Sequence, residues 1–249
     1  MSRSRSRPEA LVVDRVALPC AGHTVGVREL TGGEERAVAD MTTAPALALL
    51  DRVLEPEAEP AADLTAADRD RLLLAIQRRA FGDRVESTIA CRACAAPFDL
   101  DFTLSGLEAA LEPDVAVEVP GVRLPTGADE LAVAGLGRER GQAALLERCV
   151  LDPELAPEPA ALDELLGRIA PLADAELDAE CPECGEGQPV HFDVHAFLMG
   201  SLMAERPRLL ADVHLLALTY RWSPDDILAL PRSERRALVE LVDLEERRT

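Results

Sequence analysis

The sequence predicts an α+β protein made of two duplicated halves that share one structural zinc ion, with a helical module after them. Two observations carry this prediction. The chain contains two C-x-x-C motifs, Cys91–Cys94 and Cys181–Cys184, and an alternating apolar segment typical of a strand follows each. The same features precede both motifs in the same order, at a separation of about 90 to 96 residues, which indicates an internal duplication.

Four features recur before each motif. They are a Thr-Gly segment with acidic residues (Arg28–Glu35 and Arg123–Glu130), an apolar helix (Leu49–Leu54 and Leu145–Leu151), a break rich in proline and glutamate, and a second helix. We therefore divide the chain into four parts. They are a disordered arm at 1–10, a first repeat at 11–118, a second repeat at 119–203 and a C-terminal helical module at 204–249.

The first repeat should begin with short strands at 11–18 and 25–27. Thr31 can cap a helix whose first turn is acidic, and a second apolar helix should cover 44–54. An acidic linker at 55–64 leads to the capping box Thr65–Asp68 and a helix that stops at Gly82. After the first motif we expect a strand, then a short helix carrying three leucines, then a strand at 115–119.

The second repeat should contain a helix at 142–151 and another that carries Leu162, Leu166 and Ile169 and ends at Pro171. The alternation after the second motif predicts a strand that runs to about Phe197. Three helices should follow in the tail, because an apolar stripe begins at Leu209, Ser223 can cap a proline-initiated helix, and Pro231 begins a last helix. We predict that this tail has no counterpart in the first repeat.

The four paired cysteines are the predicted metal ligands. Four thiolates complete a tetrahedral zinc site and leave no open coordination position, so the zinc would be structural. Three alternatives stay open: two separate sites with a histidine completing the second pair, redox-active dithiols, and turns that bind no metal. The residues concerned are Cys91, Cys94, Cys181 and Cys184, with His191 or His195 as the added ligand.

Composition limits the classes of function. The 249 residues carry a formal net charge of −20, which disfavours nucleic acid and anionic membranes as partners, a zinc-ribbon nucleic-acid binder included. No run reaches the roughly 18 apolar residues of a membrane span, and no apolar segment of signal-peptide length follows the basic start. We find no phosphate loop, nucleophile elbow or H-E-x-x-H motif. We therefore expect a cytoplasmic protein that is not an enzyme and takes no small-molecule substrate.

The ordered motifs also resemble a known family. A Thr-Gly-x-[Asp/Glu]-Glu segment, an apolar helix, an acidic break, a helix ending in Gly82-Asp-Arg84 and a C-x-x-C motif are similar to the base-plate hub assembly proteins, or chaperones, of T-even-type contractile tails and related phage-like contractile injection systems. The segment Asp212–Arg232 resembles a helical segment of small proteins in the same gene clusters. The second half lacks the Gly-Asp-Arg sequence.

This resemblance implies a non-catalytic structural or assembly role in a baseplate, with protein partners. We expect the tail, 207–249, to be the docking module, and its candidate contact residues are Tyr220, Trp222, Ile227 and Leu238. The alternative for the tail is packing on the chain's own repeats. The alternative for the whole protein is a cytosolic dithiol redox protein that uses the C-x-x-C pairs.

Overall fold

The computed structural model describes residues 12–111 and 119–248. This part of the chain is an α+β protein in which antiparallel strand pairs alternate with helices. The strands are β1 (Val12–Leu18), β2 (His23–Arg28), β3 (Arg84–Ala90), β4 (Pro97–Thr103), β5 (Asp174–Glu180) and β6 (Gly187–Asp193). The helices are α1 (Gly32–Ala37), α2 (Thr43–Val53), α3 (Ala66–Phe81), α4 (Leu104–Ala110), α5 (Gly127–Val133), α6 (Arg138–Cys149), α7 (Pro159–Ile169), α8 (Val194–Ala204), α9 (Arg206–Tyr220), α10 (Pro224–Leu228) and α11 (Arg232–Glu246).

Local signals account for the beginning of the chain as predicted. β1 and β2 form a hairpin whose turn contains Gly22 at φ 72°, a left-handed conformation that glycine adopts without strain. Thr31 caps α1 through a reciprocal capping box with Glu34, because the backbone N–H of Thr31 donates to the Glu34 carboxylate at 2.8 Å. The helix predicted at 44–54 corresponds to α2.

The acidic segment before α3 is packed against the protein. Ala61 and Leu64 are buried, so this segment contributes to the core although its composition predicted a linker. Only half of the capping box at the start of α3 forms. The Thr65 hydroxyl accepts from the Asp68 N–H, but the Asp68 carboxylate accepts instead from the N–H groups of Cys20 and Ala21. Asp68 therefore ties α3 to the first hairpin.

The two C-x-x-C motifs lie at the turns of two hairpins with the same geometry. Each hairpin has two seven-residue strands, and its first strand pairs with its second in the same register. Arg84 pairs with Thr103 in the first hairpin, and Asp174 pairs with Asp193 in the second, so matching residues are 90 positions apart. The structure thus places the two cysteine pairs at equivalent positions of matching hairpins.

The strands of the structure differ from the predicted strands in three places. The strands that lead into the motifs, β3 and β5, were not predicted, because they are largely exposed and polar and show no apolar run. The prediction of a strand to Phe197 is wrong, since β6 ends at Asp193 and Phe197 lies in α8. The Asp193 carboxylate accepts from the N–H groups of His195 and Ala196, and this cap starts the helix.

One contiguous core joins the first hairpin, Leu30 and Val38 on either side of α1, and α2–α4 to α8. α8 packs against α3 and α1, and its core residues include Leu198, Met199 and Leu202. The aromatic rings of Phe102 and Phe192 meet edge to face with their centroids 5.0 Å apart, so the second halves of both motif hairpins join this core.

The C-terminal helices pack on the body of the protein, as the alternative prediction for the tail proposed. α9, α10 and α11 have a small core of their own around Leu216, and they also contact α1. The contact with α1 is charged and buried: Arg235 donates from Nη2 to both oxygens of Glu35 at 2.9 Å, and the two side chains are 1% and 2% exposed. Arg232 also pairs with Glu35 at 3.0 Å, and Asp212 also pairs with Arg235 at 3.5 Å, so removing Arg235 or Glu35 would leave the rest of a buried charge network only partly compensated.

The predicted arm at 1–10 and most of the predicted strand at 115–119 lie outside the described residues. Among the residues that the structure describes, no helix is both long and apolar enough to span a membrane.

Candidate metal centre

Each C-x-x-C motif is held by its hairpin in a tight turn. In the first turn the Cys91 N–H donates to the Ala96 carbonyl at 2.9 Å and the Ala95 N–H donates to the Cys91 carbonyl at 3.0 Å. Cys181 makes the same two bonds with Glu186 and Gly185, at 2.9 and 2.8 Å. Both turns therefore present their two thiols in the same direction.

The four thiols meet in one cluster. The sulfur atoms of Cys91, Cys94, Cys181 and Cys184 all lie within 4.8 Å of one another. The closest pairs join the two turns: Cys91 Sγ lies 3.6 Å from Cys184 Sγ, and Cys94 Sγ lies 3.8 Å from Cys181 Sγ. All four cysteines are free thiols, so these distances describe a cluster and not disulfides.

These distances fit a tetrahedral metal site. A zinc–sulfur bond of about 2.3 Å places the sulfurs of a regular tetrahedron about 3.8 Å apart. The two measured contacts between the turns are within 0.2 Å of that spacing. A four-thiolate set selects soft or borderline metals such as zinc over magnesium or calcium, which prefer oxygen. The residues therefore fit a divalent metal of the zinc type, held by two ligands from each hairpin.

The electrostatics of the cluster favour a cation. The backbone N–H of Cys94, followed by that of Ala93, donates to the Cys91 sulfur and lowers the pKa of Cys91 to about 7. The N–H of Glu186 acts in the same direction at Cys184, but the sulfurs of Cys91 and Cys94 outweigh it and raise the pKa of Cys184 to about 12. Four thiols this close cannot all ionise without a positive charge among them, and a metal ion supplies it.

The site is walled on one side and open on the other. Cys91 and Cys181 are buried in a small apolar cluster with Phe98 and Ala179, whereas Cys94 and Cys184 are exposed. The apolar wall excludes water from two of the ligands. The exposed pair leaves a path by which a metal ion can enter.

Gln188 is a site residue that the sequence did not reveal. Its buried side-chain amide reaches from β6 to the opposite turn, where Oε1 accepts from the Arg92 N–H at 2.7 Å and Nε2 donates to the Ala90 carbonyl at 3.2 Å. Gln188 thus holds the first turn against the second hairpin. Its partners are backbone groups far away in sequence, so no local motif could have identified it.

The two histidines considered as added ligands lie outside the four-cysteine cluster. His191 Nε2 lies 3.2 Å from an Asp174 carboxylate oxygen, and His195 Nε2 lies 3.0 Å from the Thr42 carbonyl. Cys149 is buried on α6, and its burial raises the pKa of its thiol. The structure therefore brings the two cysteine pairs together and places the histidines elsewhere.

The four residues predicted for partner contact occupy different environments. Trp222 is 41% exposed and stacks on the half-buried Tyr220, with their ring centroids 5.0 Å apart. Leu238 is half-buried on α11 against the small core of the tail. Ile227 is fully buried in that core, so its contacts are internal and it offers no exposed surface to a partner.

Comparisons with protein-family models, with curated proteins and with solved structures find no match for this chain. The geometry of the thiol cluster and the order of the sequence motifs are therefore the observations from which a function is argued.

Proposed function

We propose that the chain binds one zinc ion through Cys91, Cys94, Cys181 and Cys184, and that this zinc is structural. The observation that carries the proposal is the approach of four thiol sulfurs, two from each hairpin, at the spacing of a zinc–thiolate tetrahedron. The matching register of the two hairpins supports a further part of the proposal, that the halves arose by duplication.

We propose further that the zinc-stapled protein is a non-catalytic structural or assembly protein of a contractile-tail or injection-system baseplate, and that it works in the cytoplasm. The support for this part is the ordered combination of sequence motifs together with the Asp212–Arg232 segment, which resemble proteins of such systems. A four-thiolate site agrees with this role because it has no open position for a substrate.

The partner surface that we propose lies on the tail around Trp222. The stacked Tyr220–Trp222 pair is preordered, so burying the exposed part of the tryptophan would cost little side-chain entropy. Leu241 and Leu244 on α11 are also more than half exposed and extend the apolar area of the tail. Ile227 supports this surface from inside.

Metal analysis tests the zinc proposal. The purified chain should hold one zinc per molecule, and Cys91→Ser should lower the zinc content as much as Cys181→Ser, because both remove a ligand of the same ion. Cys20→Ser is the matched control, since Cys20 lies outside the cluster. Two zinc ions per chain, with one surviving either substitution intact, would contradict a shared site.

The baseplate role is tested in the producing cell. The full chain with an affinity tag should co-purify with baseplate or tail-assembly proteins, and particles from cells that lack the chain should be incomplete. Trp222→Ala should weaken this co-purification, while Leu210→Ala, another exposed apolar residue of the tail, should leave it unchanged. Complete, functional particles without the chain would refute the role.

One observation favours a second candidate, the dithiol redox protein. A Cys91 thiol with a pKa of about 7 is partly ionised at neutral pH, as a redox-active cysteine must be. Both motifs, however, lie at hairpin turns and not at the start of a helix, where the helix dipole activates a thioredoxin-like cysteine. Metal-free protein that readily forms disulfides and catalyses thiol–disulfide exchange would favour this candidate over the zinc staple.

A further inference from the structure

An apolar groove lies between α6, α7 and the start of α3, away from the thiol cluster. Its cavity volume is about 170 Å³, and leucines 145, 146, 166 and 172 form much of its lining. A cavity of roughly 150 Å³ lined by aliphatic residues is large enough to bind a molecule of the size of benzene. The groove therefore has room for a large apolar side chain from outside.

The corresponding leucines of the first half are covered. Leu49 and Leu50 stand before the sequence Asp-Arg in α2, as Leu145 and Leu146 stand before Glu-Arg in α6. Leu49 and Leu50 are buried in the same core as the apolar side chains of α8. Leu145 and Leu146 are only half-buried, and the three core clusters of the described residues do not include them.

The helix that covers the first half explains this difference. α8 packs on α3 and α1, but among the described residues α7 has no second helix beside α6 packed on it to a comparable extent. The short helix that follows the first hairpin, α4, packs back on α3. The second half therefore presents the kind of apolar face that a helix buries in the first half.

The charge at the groove indicates what kind of helix would fit. Asp163 is exposed at the groove and is the one charged residue of its lining, with no basic residue beside it there. The Gln142 side-chain amide donates to this carboxylate at 3.0 Å across the space between α6 and α7. A cationic side chain next to an apolar anchor would complement this arrangement, and the chain's net charge of −20 would favour its approach.

We propose that this groove docks an amphipathic helix of a partner protein, whose apolar face carries large aliphatic residues and whose flank carries arginine or lysine. The helix lays its anchors between Leu145, Leu146 and Leu166, and a cation at its edge pairs with Asp163. The proposal needs neither the zinc ion nor the partner surface of the tail.

Two synthetic helical peptides test it on the full-length, zinc-loaded chain. One carries leucines at helical i, i+3, i+4 and i+7 spacing with arginines elsewhere, and the other has glutamates in place of the arginines. Binding is measured by calorimetry at about 150 mM salt, where long-range charge attraction is screened. Gly167→Leu fills the groove, since a Cβ at Gly167 meets no atom within 4 Å. Ala161→Leu adds the same side chain at an exposed position of α7 away from the groove.

The leucine–arginine peptide should bind the unchanged chain and the Ala161→Leu variant equally, and bind Gly167→Leu at least about tenfold more weakly. The leucine–glutamate peptide should bind at least about tenfold more weakly than its partner. Should Gly167→Leu not fold, Leu172→Gln at the groove and Leu210→Gln on α9 replace the pair of variants. No binding, equal binding of both peptides, or binding that Gly167→Leu leaves unchanged would overturn the proposal. Self-association of the chain that Gly167→Leu abolishes would overturn it in favour of a second copy as occupant.

Discussion

Removing the zinc ion should release the two motif hairpins from each other while the C-terminal helices stay folded. A metal bound by the cluster would join Cys94 to Cys181 and Cys91 to Cys184, which are 87 and 93 residues apart. In the loop-closure treatment of crosslinks, a loop of this length restricts the unfolded chain by about 4.6 kcal/mol. For a chain of this size, that loss should lower the melting temperature by roughly 9 °C.

The loss should concentrate at the hairpins because little else joins them at this end. The apolar cluster around the site is small, and a two-stranded hairpin alone is marginally stable in water. The C-terminal helices have their own core and reach α1 through the buried Arg235–Glu35 pair, so their stability does not depend directly on the metal.

Hydrogen exchange with and without a metal chelator tests this order, and urea unfolding measures the free energy. Amides of β3–β6 should lose protection first, while those of α9–α11 keep it at low denaturant. Cys20→Ser should respond to the chelator as the unchanged chain does, because its thiol is not a ligand. Equal protection at both turns with and without chelator, or earlier loss in α9–α11, would refute the reasoning.

Four further outcomes are expected. Ala95→Gly should raise the free energy of unfolding by about 0.5–1 kcal/mol, because Ala95 has φ 59°; an unchanged urea midpoint would contradict this. Gln188→Ala should weaken zinc binding by roughly 10- to 100-fold in a chelator competition, since the amide holds the first turn; full affinity would argue against that role. Asp129→Asn should lower the free energy of unfolding by about 2–3 kcal/mol at pH 7. The Arg123 guanidinium, foremost, lowers the pKa of the Asp129 carboxyl, so this difference should begin to shrink as the pH falls below about 4 and should vanish only once the pH passes below the lowered pKa; a constant difference would contradict this. A chain ending at Met203 should aggregate or unfold at low denaturant, because Glu35 loses its buried arginines; a stable, monomeric product would show that the tail is dispensable.

Helices with a clear N-terminal cap could be predicted from the sequence because their signals are local, whereas the start of α8 was mistaken for a strand. Thr31, Thr65 and Ser223 each stand at the start of a helix, and in each case the cap and the apolar spacing lie within a few residues. The strands β3 and β5 lacked such a signal. Each belongs to a two-stranded ribbon with much of its surface in solvent. β3 shows no regular burial, and the alternation of β5 depends on Ala175, Leu177 and Ala179, two of which are small, so the apolar signal is weak.

The thiol cluster could be predicted because the spacing within each motif and the repeated context of both motifs are visible in one dimension. The residue that supports the cluster could not be predicted, since Gln188 forms hydrogen bonds with backbone atoms nearly a hundred residues away. The packing of the tail on α1 was likewise hidden. It depends on Arg235 and Glu35, which meet across 200 residues and which composition alone suggests are exposed.

Two helices, α3 and α11, begin with the same kind of contact to another part of the chain. The Ala66 N–H at the start of α3 donates to the Pro125 carbonyl at 3.0 Å, just before α5. The Arg232 N–H at the start of α11 donates to the Leu30 carbonyl at 2.8 Å, just before α1. In the first turn of α3 and of α11, a buried arginine pairs with a glutamate. In both cases this glutamate lies four residues after the threonine that precedes the contacted helix, α5 or α1.

These arginines are Arg69, which pairs with Glu130, and Arg235, which pairs with Glu35. The helices that follow the two Thr-Gly segments, α1 and α5, therefore each contact the first turn of another helix. α5 contacts the start of α3, and α1 contacts the start of α11. α11 of the tail thus binds α1 through the same kind of arginine–glutamate pair with which α3 binds α5. The four-cysteine cluster joins the two motif hairpins, the α3–α5 contact joins the first part of the chain to the second, and the α11–α1 contact joins the tail to the first part. Chelation of a bound metal should open the first of these contacts, and loss of the buried arginines should open the other two.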